Sequence, residues 1–154
     1  MALDRAAVYN ALAAKLFAIP GLRGKYRSDP TLDQWQRPGI CVLEGDQNPQ
    51  NQAMHRPLWT LDAVLTIAVD RPRDVTTASE LQTWIRAIEE ALAKVKPETA
   101  ASGTPPWPIN GDEWSTSLGG LVGEITFGPI TVGLGTENQD VEVAVMQISM
   151  LCAS

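Results

Sequence analysis

The residues able to carry chemistry are few. His55 is the only histidine in 154 residues, so a Ser-His-Asp or Cys-His arrangement would have to use it as the general base. It stands in a polar stretch just before Arg56-Pro57, the setting of a solvated loop side chain. Cys41 and Cys152 are the only thiols. Each lies in an apolar, strand-like run, where a free cysteine behaves as a small hydrophobe. One histidine and two distant cysteines lack the paired spacing of zinc ligands, and nothing else points to the oxidising compartment that a disulfide between them would need. Glu89-Glu90 and Asp112-Glu113 are adjacent carboxylates, as an acid and base could be. Neighbours on a helix point apart, however, and a solvated face explains them better. The glycines at 119, 120 and 123 precede a strand and lack the Gly-Lys-Ser/Thr ending of a phosphate loop. The expectation is therefore a non-enzyme with no catalytic residue, no metal and no cofactor.

The elements that would position these groups are organised around residues 58–70. Trp59, Leu61, Ala63, Leu65, Ile67 and Val69 occupy every second position, and a strand sends alternate side chains to opposite faces, so one face is an unbroken apolar row. The other face, with Thr60, Asp62 and Thr66 among its residues, suits water, a partner subunit or a thin second layer. Asp4 can cap a first helix with Val8, Leu12, Leu16 and Ile19 on one side, ended by Pro20-Gly21. Thr77 and Glu80 have the spacing of a capping box. They precede a second helix with the stripe Leu81, Trp84, Ile85, Ile88, Leu92 and Val95, stopped by Lys96-Pro97. These two helices are the natural cover for the apolar row.

Further strands are expected at residues 40–43, closed by Glu44-Gly45-Asp46, and at 121–127. Gly128-Pro129 then reads as a corner, from which residues 130–134 return, and a last strand occupies 141–151, apolar on both faces for much of its length as a central or interface strand would be. Long loops are expected at about 23–37, 45–57 and 97–117 within a single domain spanning 1–154. The third loop holds Trp107 and Trp114 and has no periodicity. Structureless loops beyond about 15 residues are uncommon in compact domains and are usually functional or disordered. Its tryptophans either fold back over the core or anchor a neighbouring chain.

Length and charge narrow the function classes. A chain of about 150 residues buries roughly 70% of its unfolded surface, so a core forms without staples. The net charge is −6. After Arg73 only Arg86, Lys94 and Lys96 oppose a long run of acids, a balance contrary to phosphate-neutralising nucleic-acid binding. No apolar run approaches the ~18 to 20 residues of a membrane span. The first residues enter the amphipathic pattern with no charged leader or cleavage site, so synthesis and assembly in cytoplasm are expected.

One stretch carries a resemblance. Leu118-Gly119-Gly120-Leu121-Val122, a strand ending Gly128-Pro129-Ile130, Gly135, and then residues 139–148, Gln-Asp-Val-Glu-Val-Ala-Val-Met-Gln-Ile, resemble the lambda-type tail terminator proteins of long-tailed bacteriophages. The front half agrees in layout, with a helix ending Ile19-Pro20-Gly21-Leu22, a strand announced by Arg37-Pro38-Gly39, and a long strand followed by a helix ending Ala91-Leu92. The resemblance implies an α+β protomer, here a mixed, mainly antiparallel sheet of four to five strands with two helices packed on one face. It implies a ring of this chain, a homohexamer, on the head-proximal end of the tail tube, assembled in the host bacterial cytoplasm. The ring would end tube polymerisation and offer a face for the head-tail connector or neck protein, while DNA passes through its lumen without specific binding.

Candidate subunit or tube contacts on this reading are Trp107, Trp114, Asp112 and Glu113 in the third loop, Arg71 and Arg73 after the long strand, and Ile130 and Val132. Sheet edges at 130–134 or 141–151 are candidates for pairing between copies. Another neck or tail-completion ring protein is the nearest alternative. A small enzyme using His55, or a ligand-binding module lined by Trp107 and Trp114, is the alternative from other classes.

Overall fold

A computed structural model of the chain describes residues 3–28, 34–50, 58–74, 76–92, 118, 121–135 and 140–153. Its centre is β3, Leu58–Asp70, as the alternation requires. Leu61, Ala63, Leu65, Ile67 and Val69 are buried, and burying each of the larger ones contributes about 1.5–3 kcal/mol. β3 pairs antiparallel with β2, Gly39–Pro49, on one side and with β5, Val141–Ala153, on the other. β4, Glu124–Leu134, pairs antiparallel with the outer side of β5. A short β1, Gly24–Tyr26, lies parallel to β2. The result is a five-stranded mixed sheet in the order β1-β2-β3-β5-β4. With its two helices it forms the expected α+β arrangement.

Both helices lie on the face of the apolar row. In α1, Arg5–Phe17, the Asp4 carboxylate accepts a hydrogen bond from the Ala7 N–H at 3.0 Å, the N-cap that the residue type favours. Val8, Tyr9, Leu12, Ala13 and Leu16 are its buried face. α2, Leu81–Ala91, buries Leu81, Ile85 and Ile88. The two helices share one core with β2, β3 and β5, in which Ile40, Val42, Met146, Ile148 and Met150 are also buried. The opposite face of the sheet holds a small cluster of Trp35, Cys41, Ala68 and Val141 at one end. Cys41 and Cys152 are buried and not joined in a disulfide, one in each of these clusters.

Four expectations are corrected. The first loop, 23–37, contains β1. The second, 45–57, loses its first residues to β2, which runs on to Pro49 past a register shift between Glu44 and Gln47. One extra residue there forms a bulge, so the polar side chains after Leu43 remain in a ladder instead of closing it. The Thr77–Glu80 capping box does not form. Glu80 makes no side-chain cap, and Ser79 Oγ accepts from the Leu81 N–H at 3.1 Å while its hydroxyl donates to the Glu142 carboxylate of β5. Gly128-Pro129 is no corner. β4 runs straight through it, with a register shift between Phe127 and Ile130. The Val95 end of the second helical stripe lies outside the described residues, as do Lys96-Pro97 and the third loop.

Candidate assembly interface

β4 differs from every other long strand in what its apolar side chains meet. Its register with β5 sets Ile125 opposite Met150, Phe127 opposite Ile148, Ile130 opposite Met146, Val132 opposite Ala144 and Leu134 opposite Glu142. Directly opposed residues share a face, so these five β4 side chains lie on the helix-covered side of the sheet. Ile125 packs against the core, and the helices stop short of the other four: α1 packs mainly on β2, and α2 mainly on β3 and β5. Phe127, Ile130, Val132 and Leu134 are consequently 39%, 39%, 50% and 45% exposed. With Leu121, they are the large hydrophobic residues exposed among the described residues.

The bulge sets this pattern. From Phe127 to Ile130 β4 takes three steps while β5 takes two, Ile148 to Met146. That extra residue returns Ile130, Val132 and Leu134 to the face of Ile125 and Phe127. In a regular ladder over the same residues the apolar row would split between faces. A Cβ at Gly128 would come within 3.1 Å of the Gln147 carbonyl oxygen, so the smallest residue stands where the two backbones approach most closely.

β4 is also an open edge. Among the described residues no strand pairs with its outer side, leaving a row of backbone donors and acceptors without ladder partners. Natural edges are usually blunted by Lys, inward charges or brevity. β4 has eleven residues, and its only charged residue is Glu124, at its start.

The sequence-derived candidates fall in three places. Ile130 and Val132 are together on the bare stripe. Arg71 and Arg73 are exposed but sit at the end of the sheet, where the Arg71 N–H donates to the Asp140 carbonyl at 2.8 Å and Arg37 Nε bonds Asp70 Oδ1 at 2.6 Å. They therefore border β5's start and are not part of the β4 row. Trp107, Asp112, Glu113 and Trp114 lie outside the described residues, and so does His55. Phe127 and Leu121 were not among the candidates, and Leu134 entered only as part of the 130–134 edge. The change of parity between Phe127 and Ile130 signalled Phe127's place in the row, because it equals one bulge residue; no pattern signalled Leu121. The expected edge at 141–151 is corrected: β5 is paired on both sides, so only the 130–134 part of that expectation describes an edge.

The remaining groups support packing. Burial pushes the Cys152 thiol up to about 11, which removes it as a nucleophile near neutral pH. Tyr9, whose hydroxyl donates to the Asp62 carbonyl at 2.8 Å, is raised by burial first and then by the nearby Glu44 charge. Ser149 donates to the Asp62 carboxylate at 2.7 Å on the face away from the helices. Among the described residues no three His, Cys, Asp or Glu side chains gather to hold a metal ion, and no helix is long and apolar enough to cross a membrane. What β4 offers is apolar area and backbone hydrogen-bonding groups, the two requirements for sheet augmentation.

No family model and no curated protein matches the chain. Among solved structures, a chain from the virion of a native gene transfer agent particle is similar at a TM-score of 0.46 and 16% identity, over 97% of this chain and 93% of that one. That degree of likeness bears on neither fold assignment nor function.

Proposed function

We propose that this chain is a structural protein of a phage-type virion. In the finer reading it forms a ring on the head-proximal end of the tail tube, ends tube polymerisation and supplies the face to which the head joins. The observation that carries the proposal is β4, an edge strand with Phe127, Ile130, Val132 and Leu134 uncovered beside a buried centre in β3 and β5. Such a strand is an aggregation hazard unless another chain meets it, so a multi-copy assembly accounts for its persistence. The residues behind the tail-terminator resemblance include Gly128-Pro129-Ile130 of this strand and residues 141–148 of the β5 strand that backs it. On this reading the other partners are the tail tube protein and a connector or neck protein, and no reactive centre is involved.

The proposal is tested by producing particles without the chain. Tails of irregular, overlong length that fail to join heads are expected, and supplying the chain in trans should restore both properties. Tails of normal length joined to heads in its absence would remove the proposal.

A further inference from the structure

The sheet has a second incomplete edge, on the flank opposite β4. β1 pairs with β2 only from Gly39 to Cys41. Among the described residues, residues 42–49 of β2 have no strand on their outer side. We propose that β4 of one copy pairs antiparallel with residues 42–49 of the next copy, and that the α1 packed on that β2 covers the bare β4 stripe. This inference rests on the ring reading above and specifies its subunit contact.

Three features carry it. A ring needs a heterologous interface, with different patches on opposite flanks of one protomer, and the order β1-β2-β3-β5-β4 provides that placement. Strand direction alternates from β2 through β3 and β5 to β4, so β2 and β4 run in opposite senses. A neighbour rotated about an axis along the strands thus presents β2 antiparallel to β4, continuing the pattern of the sheet. Finally, α1 packs on β2. Bringing the neighbour's β2 alongside β4 brings that helix with it, so one contact pairs the open backbone and covers the exposed apolar row. Both strands contain a bulge, at Glu44/Gln47 and Phe127/Ile130, and bulges add the local twist and bend that closure of a curved sheet requires. Pairing two β4 strands about a two-fold axis would instead close a dimer and leave 42–49 unused.

Register gives the test its faces. Thr126 and Thr131 share the helix-free face with Asn48, whereas Ile130 and Val132 share the helix-covered face with Glu44 and Gln47. Cysteine pairs are introduced into the full chain co-expressed with its tail tube protein, leaving the buried Cys41 and Cys152 in place. Asn48→Cys with Thr126→Cys or Thr131→Cys should give a ladder of inter-copy disulfides up to the closed ring. Asn48→Cys with Ile130→Cys, on opposite faces, should not. As a second readout, amides of β4 and of residues 42–49 should exchange at least about tenfold more slowly in the assembled ring than in the free chain. Rings visible by electron microscopy without same-face crosslinks or this protection would overturn the contact while leaving the ring reading standing. Dimers from Thr131→Cys alone would overturn it in favour of β4 self-pairing. Failure of the unsubstituted chain to form rings on tubes would overturn both.

Discussion

Gly39 marks a point where a single atom decides the fold. A Cβ there would lie 2.5 Å from the Gln36 carbonyl oxygen and 3.1 Å from the Trp35 ring, both in the connection between β1 and β2. Gly39→Ala should therefore cost about 1–3 kcal/mol, the usual range for overpacking, read as a lower urea midpoint with unchanged slope. A loss under about 0.5 kcal/mol would mean that this connection relaxes easily. Cys152 and Tyr9 make a prediction about pH. Burial raises the Cys152 thiol from 9.0 to about 11, and Tyr9 is shifted in the same direction, so the folded state keeps protons that the unfolded chain releases. Their contribution is complete below the unfolded value and is lost as pH climbs through the folded one. The melting temperature should hold steady to about pH 8.5 and fall between about pH 9 and 11, less steeply in Cys152→Ala. A melting temperature unchanged to about pH 11 would contradict this assignment.

At the scale of elements, two strands with similar composition have opposite fates. Ile67 of β3 lies under the helices, whereas Val132 of β4 shares its cross-sheet row through Ala144 and is half exposed. Leu65→Ala should accordingly cost about 2–5 kcal/mol. Ile130→Lys and Val132→Lys should each change stability by no more than about 0.5 kcal/mol while abolishing self-association. Both are checked by denaturation paired with sedimentation, and a Val132→Lys chain that unfolds early would place that residue in the protomer's own core. Deleting Pro129 removes the bulge residue. Plain alternation then keeps Ile130, Val132 and Leu134 opposite Met146, Ala144 and Glu142, so the chain should still fold with its apolar stripe on the same face and lose only the local twist of the bulge. The apolar row of β3, the Asp4 cap and the α2 stripe as far as Leu92 were legible because each rests on local periodicity or a local hydrogen bond. The bulges were not, because Glu44-Gly45-Asp46 and Gly128-Pro129 have the composition of turns, and only pairing with β3 and β5 keeps them extended. The capping box failed for a related reason. Ser79 is held by Glu142, a residue 63 positions away, which no local pattern reveals. Ile130 and Val132 were legible as strand residues, but their exposure depends on where the helices end.

Among its described residues the whole molecule has two unlike open flanks, β4 and residues 42–49 of β2, and on the ring proposal it functions only in multiple copies joined head to tail through them. The sheet buries one face thoroughly, leaves its last strand bare, and carries a net charge of −6 with its acids concentrated after Arg73. On the ring proposal, any acids facing a lumen would repel DNA within roughly a Debye length of 8 Å at physiological salt. The most direct measurement is native mass spectrometry of the full chain mixed with tail tubes, run beside Val132→Lys. The account predicts a closed ring of identical copies, expected to be six, for the unsubstituted chain, and a folded monomer for the variant. A unsubstituted chain that stays monomeric on the tubes, or a Val132→Lys chain that assembles equally well, would contradict it.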